Sequence, residues 1–271
     1  MNEIFDIKRL GRLIKYEVTN YIPNFFKSLL IFASVIAAVW IFSLTVDFAV
    51  WPDGRAELVS GLFALAIMLS PFIVYKDMNN RKKGYIYAMI PASTLEKLLS
   101  MFVLCVLVVP VLAYAVLTGT DLLLWLLSQM GMGSFYKMDF YNPFVDALLN
   151  ATYNYDGLSH SFPILDGMLY IIGTISYTMM FNTIFRKSKV LRTILFNIAM
   201  VFASVILTSI VVNIATPEFW ERLFEPIVSY YENLTFEESV KYTLVLGRCA
   251  SIIFATICLV ITYFRIKKVN Y

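Results

Sequence analysis

One histidine stands in the whole chain, His160. A single imidazole cannot build a His-rich metal site, and no His-Glu-x-x-His pair occurs. Glu237-Glu238 invites comparison with membrane-embedded glutamate proteases, but that chemistry wants histidines at membrane depth and there are none. The Gly-x-x-x-x-Gly-Lys-Ser/Thr phosphate loop is also missing, which excludes ATP binding by that route. Cysteine is scarce: Cys105, Cys249 and Cys258 all lie in apolar stretches, and an odd number so placed makes neither a disulfide framework nor zinc spacing. No Ser/His/Asp set can be assembled, no internal repeat occurs, and no cleavable signal peptide is expected. Charge is sparse too, at 15% of residues against about 25% in a soluble domain, while 59% are hydrophobic and mean hydropathy is +0.72. The chain is therefore expected to be no enzyme, to carry no cofactor of its own, and to live in a membrane.

What the sequence has is long apolar runs, at about 29–50, 58–75, 98–118, 167–185, 194–215 and 243–264. A crossing helix needs about 20 residues to span about 30 Å of hydrocarbon. The runs are continuous rather than alternating, which favours helices over a barrel. Seventeen of the 22 basic residues fall at alternate gaps: Lys8, Arg9, Arg12, Lys15 and Lys27; Lys76, Arg81, Lys82, Lys83 and Lys97; Arg186, Lys187, Lys189 and Arg192; Arg265, Lys267 and Lys268. Fourteen of the 19 acids lie on the other side, so one face carries +12 and the other −9. Basic short loops stay cytoplasmic, which predicts six transmembrane helices with both termini inside. A basic face beside anionic lipid needs no nucleic acid partner to explain it. The expected fold is all-α and polytopic, with a cytoplasmic amphipathic helix over 1–28 and a six-helix domain over 29–271. An inner loop at 76–97 and outer loops at 119–166 and 216–241 complete the layout.

Local patterns refine this layout. In residues 4–26, Ile7, Leu10, Ile14, Val18, Tyr21 and Phe25 recur at steps of three and four, with Lys8, Arg12, Lys15 and Thr19 opposite. Such a helix can lie among lipid headgroups, and Pro23 is expected to bend it before the first span. Trp51, Pro52, Asp53 and Gly54 read as a short outer turn. In the inner loop Gly84 and Pro91 punctuate the chain, and Ser93-Thr94-Leu95-Glu96 fits a capping box that starts a helix. The same spacing recurs from Thr235 to Glu238. The third run is too long for one upright crossing: Pro110 and Gly119 offer breaks, with a crossing that ends near Thr118 and an interfacial helix over 121–130. A long helix extending beyond the membrane is the competing reading. The aromatic stretch 131–163 reads as a loop lying on the membrane surface. Asp47 and Arg248 sit near the outer ends of their spans, where they snorkel, pair, or line an outward-opening cavity. Asn182, Asn197 and Asn213 are expected to hydrogen-bond between helices.

The order of these parts resembles the permease subunits of type-2 ABC exporters. The likeness is most specific over about 81–100, in Gly84, Ile90-Pro91-Ala92-Ser93-Thr94 and Leu95-Glu96-Lys97-Leu98-Leu99. The opening FDIKRLGRLIKYE is similar to the first segments of such permeases of Bacteroidetes type. The resemblance implies a multi-pass protein of a bacterial cytoplasmic membrane that moves substrate with ATP hydrolysed by a separate ATPase subunit. It implies an ATPase-binding loop containing Arg81, Lys82, Lys83, Gly84, Ile90, Pro91, Ser93, Glu96 and Lys97, with Arg81–Lys83 meeting acidic protein or anionic lipid. It also implies a second permease chain. The long aromatic outer loop departs from the family pattern. The alternative is a multi-span scaffold or sensor partner that transports nothing.

Overall fold

The computed structural model describes residues 5–45, 52–78, 84–129, 152–155, 158–161, 164–214 and 236–268. Helices dominate: α1 (Ile7–Thr45), α2 (Pro52–Val74), a short α3 (Gly84–Met89), α4 (Thr94–Val103), a π turn (Leu104–Val108), α5 (Val109–Gln129), α6 (Ile164–Ile184), α7 (Lys189–Ile214) and α8 (Phe236–Lys268). The described non-helical element is a hairpin of β1 (Thr152–Tyr155) and β2 (Leu158–Ser161), with Thr152 opposite Ser161 and Tyr155 opposite Leu158. It lies in the stretch read from sequence as an irregular surface loop.

Among the described residues four helices are long and apolar enough to cross a membrane by length and composition: α1, the continuous α4–α5 rod, α7 and α8. The last two show how apolar surface is disposed. Only 6% of the apolar window of α7 is buried within the chain. Val201, Phe202, Val205, Ile206 and Leu207 cover every side of the helix and all are exposed. A helix apolar all round is matched to hydrocarbon, where side chains lose nothing by facing out.

Prolines explain the departures from the expected breaks. A 39-residue α1 is about 58 Å long, far beyond the hydrocarbon thickness, and it continues unbroken past Pro23. The lead-in segment and the first apolar run are thus one helix, whose polar half ends where the apolar half begins near residue 29. Pro23 removes a single ladder bond and its ring lies on the exposed side, so the helix continues. Pro52 is the first residue of α2, where a missing N–H costs nothing, so Pro52–Gly54 form helix rather than the turn expected. Pro71 lies inside α2 and denies the Ile67 carbonyl its N–H; the Ser70 hydroxyl donates to that carbonyl instead, at 2.8 Å. Pro110 likewise does not end its helix. The turn before it widens to i→i+5 bonding, with Val109 N–H on the Leu104 carbonyl, and the rod continues to Gln129. The segment is therefore one continuous helix, and no separate helix starts at 121.

The core lies where α1, α2, α4–α5 and α6 meet. Phe25 and Leu29 of α1 pack with Ala66 and Ile67 of α2, Leu104 and Val109 of the rod, and Ile175 and Met179 of α6. The buried residues of α1 are Leu10, Leu13, Glu17, Phe25, Leu29, Ala33 and Ile36, a stripe at helical spacing with one acid in it. Lys8, Arg12, Lys15 and Thr19 are exposed as the pattern required, whereas Ile7 is 74% exposed and has no place in the stripe.

Candidate functional site: a buried polar junction at the basic end

The basic ends of the helices converge on a set of polar side chains that the chain satisfies internally. Ser93 caps α4: its hydroxyl accepts from Glu96 N–H at 3.2 Å, and Glu96 Oε2 accepts from Ser93 N–H at 2.8 Å. The expected capping box is present. Glu96 does more than close its own helix. Its Oε1 accepts the Asp6 N–H at 2.8 Å, just before α1 begins, and Arg9 grips both oxygens at 2.7 Å. One carboxylate thereby caps two helices and joins them. Hydrogen bonds from Arg9, backed by those from Ser93 and Asp6, hold Glu96 down at about 2.

Two turns further along α1, Glu17 has no exposed surface. Its Oε2 accepts from the Tyr75 hydroxyl, at the end of α2, at 2.7 Å and from Ser100 Oγ of α4 at 2.5 Å. The Tyr87 hydroxyl of α3 and the Lys97 ammonium of α4 also face it. Glu17 lies twelve residues before the apolar half of α1, level with the basic-side ends of the second and third apolar runs at Tyr75 and Ser100. Burial pushes its carboxyl up to about 7 against the downward pull of Ser100, Tyr75, Tyr87 and Lys97.

Three cations close helix ends in the same layer. Lys97 Nζ donates to the Tyr87 carbonyl at 3.0 Å and sits 5.3 Å from the centre of that ring. Lys189, the first residue of α7, donates to the carbonyls of Tyr75 and Lys76 at 3.2 and 3.0 Å and to Asn182 Oδ1 at 2.7 Å. Arg265 of α8 reaches the Ile184 carbonyl at 3.4 Å. Each sits at the negative end of a helix, where carbonyls lack intrahelical partners. Tyr75 is the hub: its hydroxyl is bound from α1 and its carbonyl from α7. Its ring meets Tyr21 and Tyr87 edge to face, with centroids 5.6 and 6.3 Å away. Beside it opens a cleft of about 210 Å³ lined by Tyr16, Asn20, Tyr21, Tyr75, Asp77 and Tyr87.

The sequence-derived site residues divide accordingly. Gly84 opens α3, Ile90 is half-buried and Pro91 exposed in the turn that follows, and Ser93 caps α4. Glu96 and Lys97, expected to face a partner, are buried instead; the bonds just described consume them within the chain, because a charge taken out of water must be paired. Arg81, Lys82, Lys83 and Asp47 lie outside the described residues, as do 130–151 and 215–235 of the outer loops, so the proposed pairing of Asp47 with Arg248 has no described geometry. Asn182 accepts from Lys189 across the α6–α7 turn, and Tyr177 donates to Asn197 between the same helices, as expected for polar groups in spans. Among the described residues no group of three or more His, Cys, Asp or Glu side chains could hold a metal ion. Sequence reasoning passed over Glu17, Tyr75, Ser100 and Lys189. The available signal was Glu17 itself, a lone acid in register with Leu10, Leu13 and Tyr21 on an otherwise apolar stripe.

Compared with protein-family models, with curated proteins and with solved structures, the chain matches none.

Proposed function

We propose that this chain is the membrane-spanning subunit of an ABC-type exporter, crossing a bacterial cytoplasmic membrane six times with both termini and the 76–97 segment inside. A separate ATPase subunit would supply ATP hydrolysis, and a second permease chain would complete the pathway. One observation carries the reading: the segment from α3 to α4 is amphipathic in reverse. Its ionic residues Glu96 and Lys97 are buried, while Met89 is 77% and Leu95 40% exposed, with Pro91 exposed between them. Apolar side chains presented at the tip of a loop on the basic, water-facing side gain most from a protein partner. The same elbow is braced internally by Lys97–Tyr87 and tied to α1 through Glu96–Arg9, so a push on its tip would reach α1 and α4 together. Substrate would then move by the bundle's alternation between two arrangements rather than by covalent chemistry.

Purification of the tagged chain in mild detergent from its native cells tests this. An ATPase bearing a phosphate-loop motif should co-purify, and Met89→Asp or Ile90→Asp should abolish its recovery while leaving the chain in the membrane. Recovery without any such ATPase would favour a scaffold or sensor partner. Labelling of position 83 from the cell exterior would refute the topology.

A further inference from the structure

We propose that Glu17 is a proton-binding site whose occupancy decides how firmly the first half of α1 sits on the bundle. Its geometry suits a neutral carboxyl better than a charged one. An ionised carboxylate offers about four acceptor positions. Here Tyr75 and Ser100 both donate to Oε2, the Tyr87 hydroxyl faces the carboxyl as a further polar group, and Oε1 is buried without a hydrogen-bond partner among the described residues. A proton on Oε1 removes the charge, leaves both bonds to Oε2 in place, and has the Tyr87 hydroxyl oxygen as the facing group to which it can donate. Loss of that proton leaves a buried charge half solvated by the protein, which is costly.

Most of the groups that face it carry no charge. Tyr75 from α2 and Tyr87 from α3 are phenols, Ser100 of α4 is a hydroxyl, and Cys105 of the π turn is a thiol in the same buried cluster. Lys97 of α4 is the facing cation, and it attracts Glu17 through space while its ammonium is bonded to the Tyr87 carbonyl. Lys189 acts on the far side of Tyr75, through the backbone carbonyl. Glu96 provides the internal contrast. It joins the same two helices, but it has four donors, an arginine among them, and stays charged. Two carboxylates thus fasten α1 to α4, one fixed in charge and one that changes charge near neutrality, because their surroundings push them apart.

Linkage gives the direction. Seated, Glu17 titrates at about 7; released into water, it returns to the ordinary 4.5. The folded value is raised, so the stabilisation is complete below 4.5 and lost as pH climbs through 7. Between pH 6 and pH 8 the equilibrium for opening this part of α1 rises about tenfold.

Hydrogen exchange read by mass spectrometry on the full chain in lipid nanodiscs tests the proposal. Amides of residues 10–25, corrected for the intrinsic effect of pH on exchange, should be about tenfold less protected at pH 8 than at pH 6. Glu17→Gln, a mimic of the protonated form, should remove this dependence and keep the protection seen at pH 6. Tyr75→Phe deletes a donor to the charged form and should move the midpoint upward, which keeps the test decisive if the glutamine variant does not fold. Equal protection at both pH values in the unaltered chain would overturn the proposal. So would a Glu17→Gln chain that keeps the full dependence, or a step of the same size in α8. None of these readouts involves an ATPase, so the proposal can fail while the transport reading stands, and the reverse.

Discussion

Replacing Glu96 by glutamine should loosen α1 from α4 without changing the shape of the side chain. The carboxylate receives two bonds from Arg9 at 2.7 Å and one backbone N–H from each of Asp6 and Ser93 at 2.8 Å. Glutamine keeps one acceptor oxygen and turns a donor towards groups that are themselves donors. The shift of Glu96 from 4.5 to about 2 corresponds to about 3 kcal/mol between charged and neutral forms. Arg9 is 32% exposed, so solvent screening trims the usable part to about 2 kcal/mol. Glu96→Ala also deletes the cap of α4 and should cost about 1 kcal/mol more. A double-mutant cycle pairing Arg9→Gln with Glu96→Gln should return a coupling of about 1–2 kcal/mol. The measurement is thermal unfolding in one fixed detergent, followed by the helical circular dichroism signal. The pH dependence adds a second constraint. The folded value is depressed, so the stabilisation is present above 4.5 and lost as pH falls through about 2; well over half should survive at pH 4. A glutamine variant that unfolds with the unaltered chain, or a coupling near zero, would refute the reasoning.

Lys189→Ala removes three bonds that tie the start of α7 to the end of α2 and to Asn182; unfolding experiments should register a loss of about 2–3 kcal/mol, and a change below about 0.5 kcal/mol would show those bonds to be idle. Ser70→Ala strands the Ile67 carbonyl that Pro71 already deprives of an N–H, and should cost about 1–2 kcal/mol. Ser204→Ala breaks a bond of the same kind to Val201 on an exposed helix with no proline, and should stay within about 0.5 kcal/mol. Equal costs at the two serines would mean that the proline plays no part.

Particular residues show how far sequence reasoning reached. Capping at Ser93 and Glu96 was legible because a hydroxyl and a carboxylate three residues apart act within one turn. The exposed face of α1 was legible for the same reason: helical period alone sorts Lys8, Arg12, Lys15 and Thr19 to one side. Asp156-Gly157, between β1 and β2, is a strong hairpin signal that the aromatic character of the surrounding stretch obscured. Proline was over-read at Pro52 and Pro110, because the ring deletes one bond and the cost depends on whether a helix start or a widened turn absorbs it.

The sequence by itself determined the apolar solvent and the helical class. Long continuous apolar runs and basic charge concentrated at alternate gaps are one-dimensional quantities, and the energetics of hydrocarbon act on them directly. The tertiary structure alone decided which charges are spent inside the chain. Glu96 reaches back 87 residues to Arg9, Glu17 meets Tyr75 and Ser100 at separations of 58 and 83, and Lys189 meets the end of α2 across more than a hundred. Burial and pairing depend on what other helices bring to the same point, and no local pattern encodes that.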